Sequence, residues 1–222
     1  MPSIRLQMTG APGPPCDIAQ LPADMLDLLR REYCKIETSP KRLRYNHVCG
    51  VHNPWGRSAS VFDSWALLDV CRSAHLLDPV SQLIGPEVFL WDSRFYRLTE
   101  FEPEATWLNE AKYAPLEPML GITVHISLED PGEIVCHDLR TPYRYTDSTG
   151  PHTGEYIIQY ASAHSLFVRN QASAIQQSLA EKMPLANFGQ APIWLVRGVD
   201  HGINDYATGF APAVPQWAAA NW

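Results

Sequence analysis

The residue pattern predicts an α+β chain, mainly β with flanking helices, built on a β-sandwich or jelly roll. Three observations carry this. Helix-period apolar patterns dominate the stretch before Gly85-Pro86, β-rich runs punctuated by turn residues and interrupted by one helix follow it, and 222 residues at 45% apolar content suffice for a sizeable core. The layout this implies is a single jelly-roll domain over residues 1-222: a loose N-terminal arm at 1-20, a helical and loop region at 21-86, and a β-core at 87-222.

Taken in order, Gly10, Pro12, Gly13, Pro14 and Pro15 exclude a helix or a central strand from the N-terminal arm, leaving a loose arm or a short edge segment. Leu21-Pro22-Ala23-Asp24 leads into Met25, Leu26, Leu28, Leu29 and Tyr33, with Arg30, Arg31 and Glu32 between them, which fits a short amphipathic helix. Residues 38–60, with Pro40, Gly50, Asn53-Pro54 and Gly56, read as a long polar loop in which Trp55 is an apolar anchor. Phe62–Ser73 and Leu76–Ile84 read as helices, the second stopped by Gly85-Pro86. Strands are expected at Val88–Leu98, Gly121–Glu129, Glu155–Tyr160 and Ile193–Arg197, interrupted by one helix, Ala172–Lys182. Pro212 and Pro215 each remove a backbone donor, so Phe210–Trp217 can pair only at an edge or not at all.

The net charge of −7 is spread over interspersed acidic and basic residues, which argues against electrostatic binding to nucleic acid or to an anionic membrane. No apolar run approaches the ~20 residues a membrane span needs. No apolar segment of the secretion-signal kind follows Arg5, so cytoplasmic residence is the default expectation. Cys16, Cys34, Cys49, Cys71 and Cys136 are odd in number, widely spaced and without a Cys-x-x-Cys, which argues against a disulfide framework or a zinc site.

A series of short motifs goes further. Leu76-Leu77-Asp78-Pro79-Val80 and Leu83 to Ser93 form a helix ending in a Gly-Pro turn before a strand. Thr106-Trp107, Tyr113-Ala114-Pro115-Leu116-Glu117-Pro118 and Gly121 to Asp130 follow, then Ser162-Ala163-His164 and Ala191 to Asn204. In this order they resemble the phytanoyl-CoA dioxygenase-like family of Fe(II)/2-oxoglutarate oxygenases, over roughly residues 76–204. The resemblance implies a double-stranded β-helix (jelly roll, cupin-like). It also implies a first ligand pair of the His-x-Asp kind at positions 108 and 110, a Gly-Ser-His-like turn at Ser162-Ala163-His164, and a distal metal-binding histidine at His201.

That chemistry needs two histidines and a carboxylate on one face of the metal. This chain has Leu108, with no lone pair to offer, and Glu110. The motif is not displaced elsewhere, because none of the eight histidines is followed two positions later by Asp or Glu. The family also holds the distal carboxylate of 2-oxoglutarate with an arginine beyond the distal histidine. Here no Arg or Lys lies between Gly202 and Trp222, and the last basic residue is Arg197. Halogenase-type relatives replace only the carboxylate, so this pattern is not theirs. The vestigial triad positions are therefore Leu108, Glu110 and His201. No metal or cofactor is expected in this chain, with Glu110 and His201 as the ligands if any is bound.

For individual residues the plain readings are as follows. His201 is a relic hydrogen-bonded in the core, Glu110 a solvated residue before a turn, and His125 a core histidine with a satisfied ring nitrogen. His137-Asp138 belongs to a polar loop with Arg140, Tyr143, Arg144, Tyr145 and Asp147. Trp91, Tyr96, Trp107, Tyr113 and Trp194 are core residues rather than the lining of a substrate cavity. Trp55, Trp217 and Trp222 are candidates for partner contact. The function expected is that of a pseudo-oxygenase subunit, not an enzyme on its own. It would form a heterodimer with a catalytically active paralogue that carries Fe(II) and 2-oxoglutarate, in natural-product (terpenoid or meroterpenoid) biosynthesis. Two alternatives stand beside it: a metal-independent isomerase or cyclase using Glu110 or His201 as acid or base, and a small-molecule binding module in the empty barrel.

Overall fold

One ten-residue strand, Val88–Arg97 (β3), organises the main sheet of the chain. We describe it from a computed structural model covering residues 5–8, 20–38, 47–97, 109–129, 131–146, 154–170, 172–174, 177, 189 and 191–207. The other strands are Arg5–Met8 (β1), His47–Cys49 (β2), Leu116–Glu117 (β4), Gly121–Ser127 (β5), Ile134–Asp138 (β6), Tyr143–Thr146 (β7), Gly154–Ser162 (β8), Leu166–Phe167 (β9) and Trp194–Arg197 (β10). The main sheet is antiparallel with order β10-β3-β8-β5-β6. β2 shares the outer edge of β3 with β10: β10 pairs near Val88–Leu90 and β2 near Arg94–Tyr96. Two small sheets, β1-β7 and β4-β9, complete the strands described. This is the β-rich jelly-roll architecture that the sequence predicts.

Helices cover one face. Ala23–Thr38 (α1) buries Leu26, Leu29, Tyr33 and Ile36, which recur at helical spacing. Ser64–Arg72 (α2) starts at Asp63, whose carboxylate accepts the Ala66 N–H at 3.1 Å, an orphan donor of the first turn. Ala74–Ile84 (α3) buries Leu76, Leu77 and Val80 and ends at Gly85, whose φ of 96° lies in the left-handed region. Against these helices the sheet presents Val88, Leu90 and Phe95, then Tyr156, Ile158 and Tyr160, then Ile122, Val124 and Ile126.

Several sequence expectations are corrected. Of the two readings of the N-terminal arm, loose or a short edge segment, Arg5–Met8 takes the second: it forms β1, in register from Arg5↔Thr146 to Met8↔Tyr143, because the edge of β7 offers backbone groups that a proline-free tetrapeptide can satisfy. The 38–60 loop contains β2 and a 3₁₀ turn at Arg57–Ser60. The polar stretch around His137-Asp138 is two strands, β6 and β7, rather than a loop, since its backbone pairs with β5 and β1. Of the expected helix Ala172–Lys182 only Ala172–Ala174 and Gln177 are described, and Phe210–Trp217 lies outside the described residues.

Tyr33 of α1 packs edge-on to Phe95, with ring centroids 5.8 Å apart, and lies directly over Gly154 at the start of β8. A Cβ at Gly154 would overlap that ring. Gly154→Ala is therefore expected to destabilise the chain by about 1–3 kcal/mol in urea unfolding, with the cost smaller when Tyr33 is shortened to Leu in the same chain.

Candidate functional site

Much of the face of the sheet turned away from the helices is polar, and a β-bulge in β3 adds Asp92 and Arg94 to it. Between Leu90 and Asp92 the β3–β8 register slips by one residue at Trp91. Strict alternation would put Asp92 and Arg94 on the face of Val88 and Leu90, among the helices. The bulge turns both into the barrel interior. There Asp92 lies opposite Gln159, which lies opposite Thr123, which lies opposite His137. The next row is Arg94, Ile157, His125 and Val135.

Arg94 is fully buried and makes an ion pair with Glu110 through its Nη2. Its Nη1 reaches Asp92 at 3.3 Å and Gln159 at 3.4 Å. Glu110 opens the 3₁₀ turn Glu110–Lys112, which the Asn109 side chain caps at Ala111 N–H (3.0 Å) and which Ala111 N–H also ties to the Leu139 carbonyl at 3.0 Å. Tyr143 donates to Glu110 Oε1 at 2.8 Å. Burial alone would raise the Glu110 carboxyl, but Arg94 and hydrogen bonds from Tyr113, Tyr143 and Gln159 outweigh it and hold it at about 2. Asp92 goes the other way: burial pushes it up to about 6 against the pull of Arg94 and the Gly50 N–H.

Beside this pair lies a chain of three groups. His125 Nδ1 meets Glu155 Oε2 at 3.0 Å, His125 Nε2 meets His137 Nε2 at 3.0 Å, and His137 Nδ1 meets the Asp138 carbonyl at 3.0 Å. A carbonyl only accepts, so His137 Nδ1 carries hydrogen and its Nε2 accepts from His125. Burial and the neighbouring His125 lower His137 to about 4, so it is neutral near pH 7. His125 then donates from Nε2, with its Nδ1 facing Glu155. His125 is thus a satisfied interior histidine, as the sequence suggests, but with a carboxylate and a second imidazole as its partners.

At the Glu87 end of β3, apolar side chains fill the interior: Phe89, Trp91, Leu139, Phe167 and Ile193 form one buried cluster. A Cβ at Gly121 would come within 2.7 Å of Leu139 Cδ1, so the packing there has no slack. Beyond this plug, at the rim, His201 Nε2 meets Glu87 Oε2 at 2.6 Å and His164 Nε2 meets the same oxygen at 3.1 Å.

These positions revise the residue readings. Glu110 is not a solvated residue before a turn: it is wholly buried, because Arg94 needs a counter-charge. His201 is not a relic within the core, since its side chain is 37% exposed and bound at the rim. Glu110 and His201 are not brought together. They pair with Arg94 and Glu87, which stand roughly 20 Å apart along β3 at ~3.3 Å per residue. Leu108, Trp107, Trp217 and Trp222 lie outside the described residues. Trp55 is half-buried, and its ring stacks on Trp194 at 5.1 Å with 10° between planes, so its apolar surface is largely used within the chain. Trp91, Tyr96 and Trp194 are buried core residues, and Tyr113 lies against Glu110. Sequence reasoning missed Arg94 altogether. Asp92-Ser93-Arg94 interrupting an apolar strand was the available signal.

No protein-family model and no curated protein sequence matches the chain. Solved structures do. CytC3 with Fe(II) and α-ketoglutarate superposes at a TM-score of 0.61 with 16% identity, over 87% of each chain. The non-haem monooxygenase ThoJ, in its apo form, gives 0.57 and 15%, over 84% of this chain and 80% of its own. SnoN, a non-haem α-ketoglutarate-dependent epimerase from nogalamycin biosynthesis, gives 0.51 and 12%, over 70% of this chain and 80% of its own. At these identities the likeness establishes the fold, a double-stranded β-helix. Fe(II) and α-ketoglutarate, named for the CytC3 structure, do not fit the positions that the sequence resemblance matches to a metal triad: Leu108 has no donor atom, Glu110 is committed to Arg94 and Tyr143, and His201 is held at the rim. No helix among the described residues is long and apolar enough to cross a membrane.

Arg94→Met is expected to cost about 3–5 kcal/mol by stranding the buried Glu110 charge, and Arg94→Met with Glu110→Met to recover much of it. Additive losses in a double-mutant cycle by urea unfolding would show that the two are not coupled. Acid sensitivity follows from the buried histidines. His137 lies at about 4 and His52, lowered by burial and by Arg72, at about 3, both below the ordinary 6.5. Their contribution is complete above 6.5 and is lost as pH falls toward those values, while Asp92, raised to about 6, opposes with a contribution lost as pH rises. Two protons against one predict a falling urea midpoint between about pH 7 and pH 4.5.

Proposed function

We propose that this chain is a non-catalytic subunit with an oxygenase fold, which pairs with a catalytically active paralogue and stabilises it or completes its substrate site. The observation that carries this is the Arg94–Glu110 pair. The carboxylate at the position of a metal ligand is neutralised by a guanidinium and a phenol of its own chain, and no donor at Leu108 accompanies it. A metal would have to displace Arg94 from a wholly buried ion pair, which would leave that charge uncompensated. Fe(II) and 2-oxoglutarate belong, in this reading, to the partner chain. The setting is natural-product biosynthesis in the cytoplasm, terpenoid or meroterpenoid chemistry by the family resemblance. The structural likeness to SnoN, from nogalamycin biosynthesis, is compatible with a pathway of that general kind.

The two alternatives find less support. Glu110, held near 2 by Arg94, is a poor general base at neutral pH, because proton transfer is most effective from a group whose pKa lies near the working pH. The receptor reading needs an open barrel, whereas Phe89, Trp91, Leu139, Phe167 and Ile193 pack the interior at the Glu87 end. The solvent-facing Trp65, 45% exposed beside Trp55 and Trp194, extends the search for a partner surface to α2.

Co-expression with an intact paralogue encoded beside this chain is the test. The expected result is co-elution in size-exclusion chromatography and a several-fold gain in the paralogue's soluble yield or activity. Separate elution with an unchanged paralogue, or product formation by this chain alone with Fe(II) and 2-oxoglutarate, would overturn the proposal.

A further inference from the structure

Glu87, His164 and His201 place a carboxylate oxygen and two imidazole nitrogens within 4.8 Å of one another. They are the one such group of three or more among the described residues, and they lie outside the barrel interior. We propose that these three residues bind one divalent transition-metal ion of the zinc, cobalt or iron(II) class at the rim of the sheet. This site is distinct from the vestigial triad, sharing only His201 with it, and it stands independently of the subunit reading.

The three ligands come from separate parts of the chain, and hydrogen bonds and close packing fix each part to another. Glu87 immediately precedes β3. His164 sits in the turn after β8, where the Ala163 N–H donates to the Glu87 carbonyl at 2.8 Å. His201 follows β10, and the chain reaches it through Gly198, whose φ of 92° only glycine adopts readily. Gly198 lies so close to Glu87 that a Cβ there would meet its Cγ at 2.7 Å and its Cα at 2.8 Å. Asn204 then joins the two histidine turns: its Nδ2 donates to the Ser165 carbonyl at 2.9 Å, and its Oδ1 accepts the Phe167 N–H at 2.7 Å. The three ligand-bearing segments are thus tied to one another by hydrogen bonds and close packing, which is what a metal site needs for its geometry to persist.

The separations suit an ion. Metal–nitrogen and metal–oxygen bonds of ~2.0–2.2 Å put neighbouring ligand atoms about 3 Å apart. His201 Nε2 and His164 Nε2 stand 2.6 Å and 3.1 Å from Glu87 Oε2, so small side-chain rotations open the set around a cation. The rings lie 5.2 Å apart at 23°, both turning Nε2 to the same oxygen. Two imidazoles with one carboxylate select zinc and its transition-metal neighbours over calcium or magnesium, which prefer all-oxygen shells. At 62% and 37% exposure the histidine side chains leave the remaining coordination positions to water.

The test uses the full chain, stripped with a chelator, desalted and titrated with Zn²⁺ and with Co²⁺. One equivalent is expected to bind saturably, with a rise in Tm for Zn²⁺ and a visible d–d band for Co²⁺. His164→Ala and His201→Ala should each weaken binding at least about tenfold, and Glu87→Gln comparably, with the Tm gain lost. The histidine variants alter solvent-exposed side chains, and circular dichroism checks that they fold. No saturable binding by the wild type, or equal binding by the His164→Ala/His201→Ala double variant, would overturn the site. The second result would place the ion elsewhere, for instance at His125 and His137.

Discussion

A guanidinium with no access to water governs the interior of this barrel. Arg94 cannot give up its proton, so its surroundings must supply fixed negative charge and acceptors, and they do so from three directions: Glu110, Asp92 and Gln159. The requirement propagates outward. Glu110 has to be inside, which fixes the 3₁₀ turn Glu110–Lys112 against Leu139. Tyr143 has to reach Glu110, which brings β7 over the interior face. The β1 strand then lies along β7.

Alternation along β5, β6 and β8, and a bulge at Trp91 in β3, make the two faces of the sheet chemically different. On one side β3, β8 and β5 offer an apolar surface that three helices cover; on the other the same strands carry an arginine, acidic groups, glutamine and histidines. A buried polar set of this kind contributes little net stability compared with a well-packed apolar one, but it tolerates few alternative arrangements. The rim differs again. His164, His201 and Glu87 sit beyond the apolar plug, reach solvent and are organised by turns rather than by the sheet face.

The elements legible in the sequence were those with an apolar face of clear period: α1, α2, α3 and the strands β3, β5, β8 and β10. Isoleucine and valine alternating in Gly121–Ser127 announce a strand wherever they occur. The strands β1, β2, β6 and β7 were not legible, because none exceeds five residues and all are held by backbone pairing that no side-chain pattern reports. The order of motifs did indicate the fold, and the loss of a donor at Leu108 is visible by inspection. What became of Glu110 is not. A glutamate before a turn looks solvated unless one knows that a bulge in another strand has turned an arginine toward it. Similarly, His201 could be picked out, but its partners come from turns far away in the chain.

The ion pair at the centre also works as a ratchet. A histidine at position 108 would restore a residue type without freeing the carboxylate beside it. Removing Arg94 first would leave Glu110 charged and unmatched in a wholly buried site, and removing Glu110 first would do the same to Arg94. Either removal passes through a less stable chain. The contact that holds the barrel together therefore also resists its conversion to a metal-binding interior.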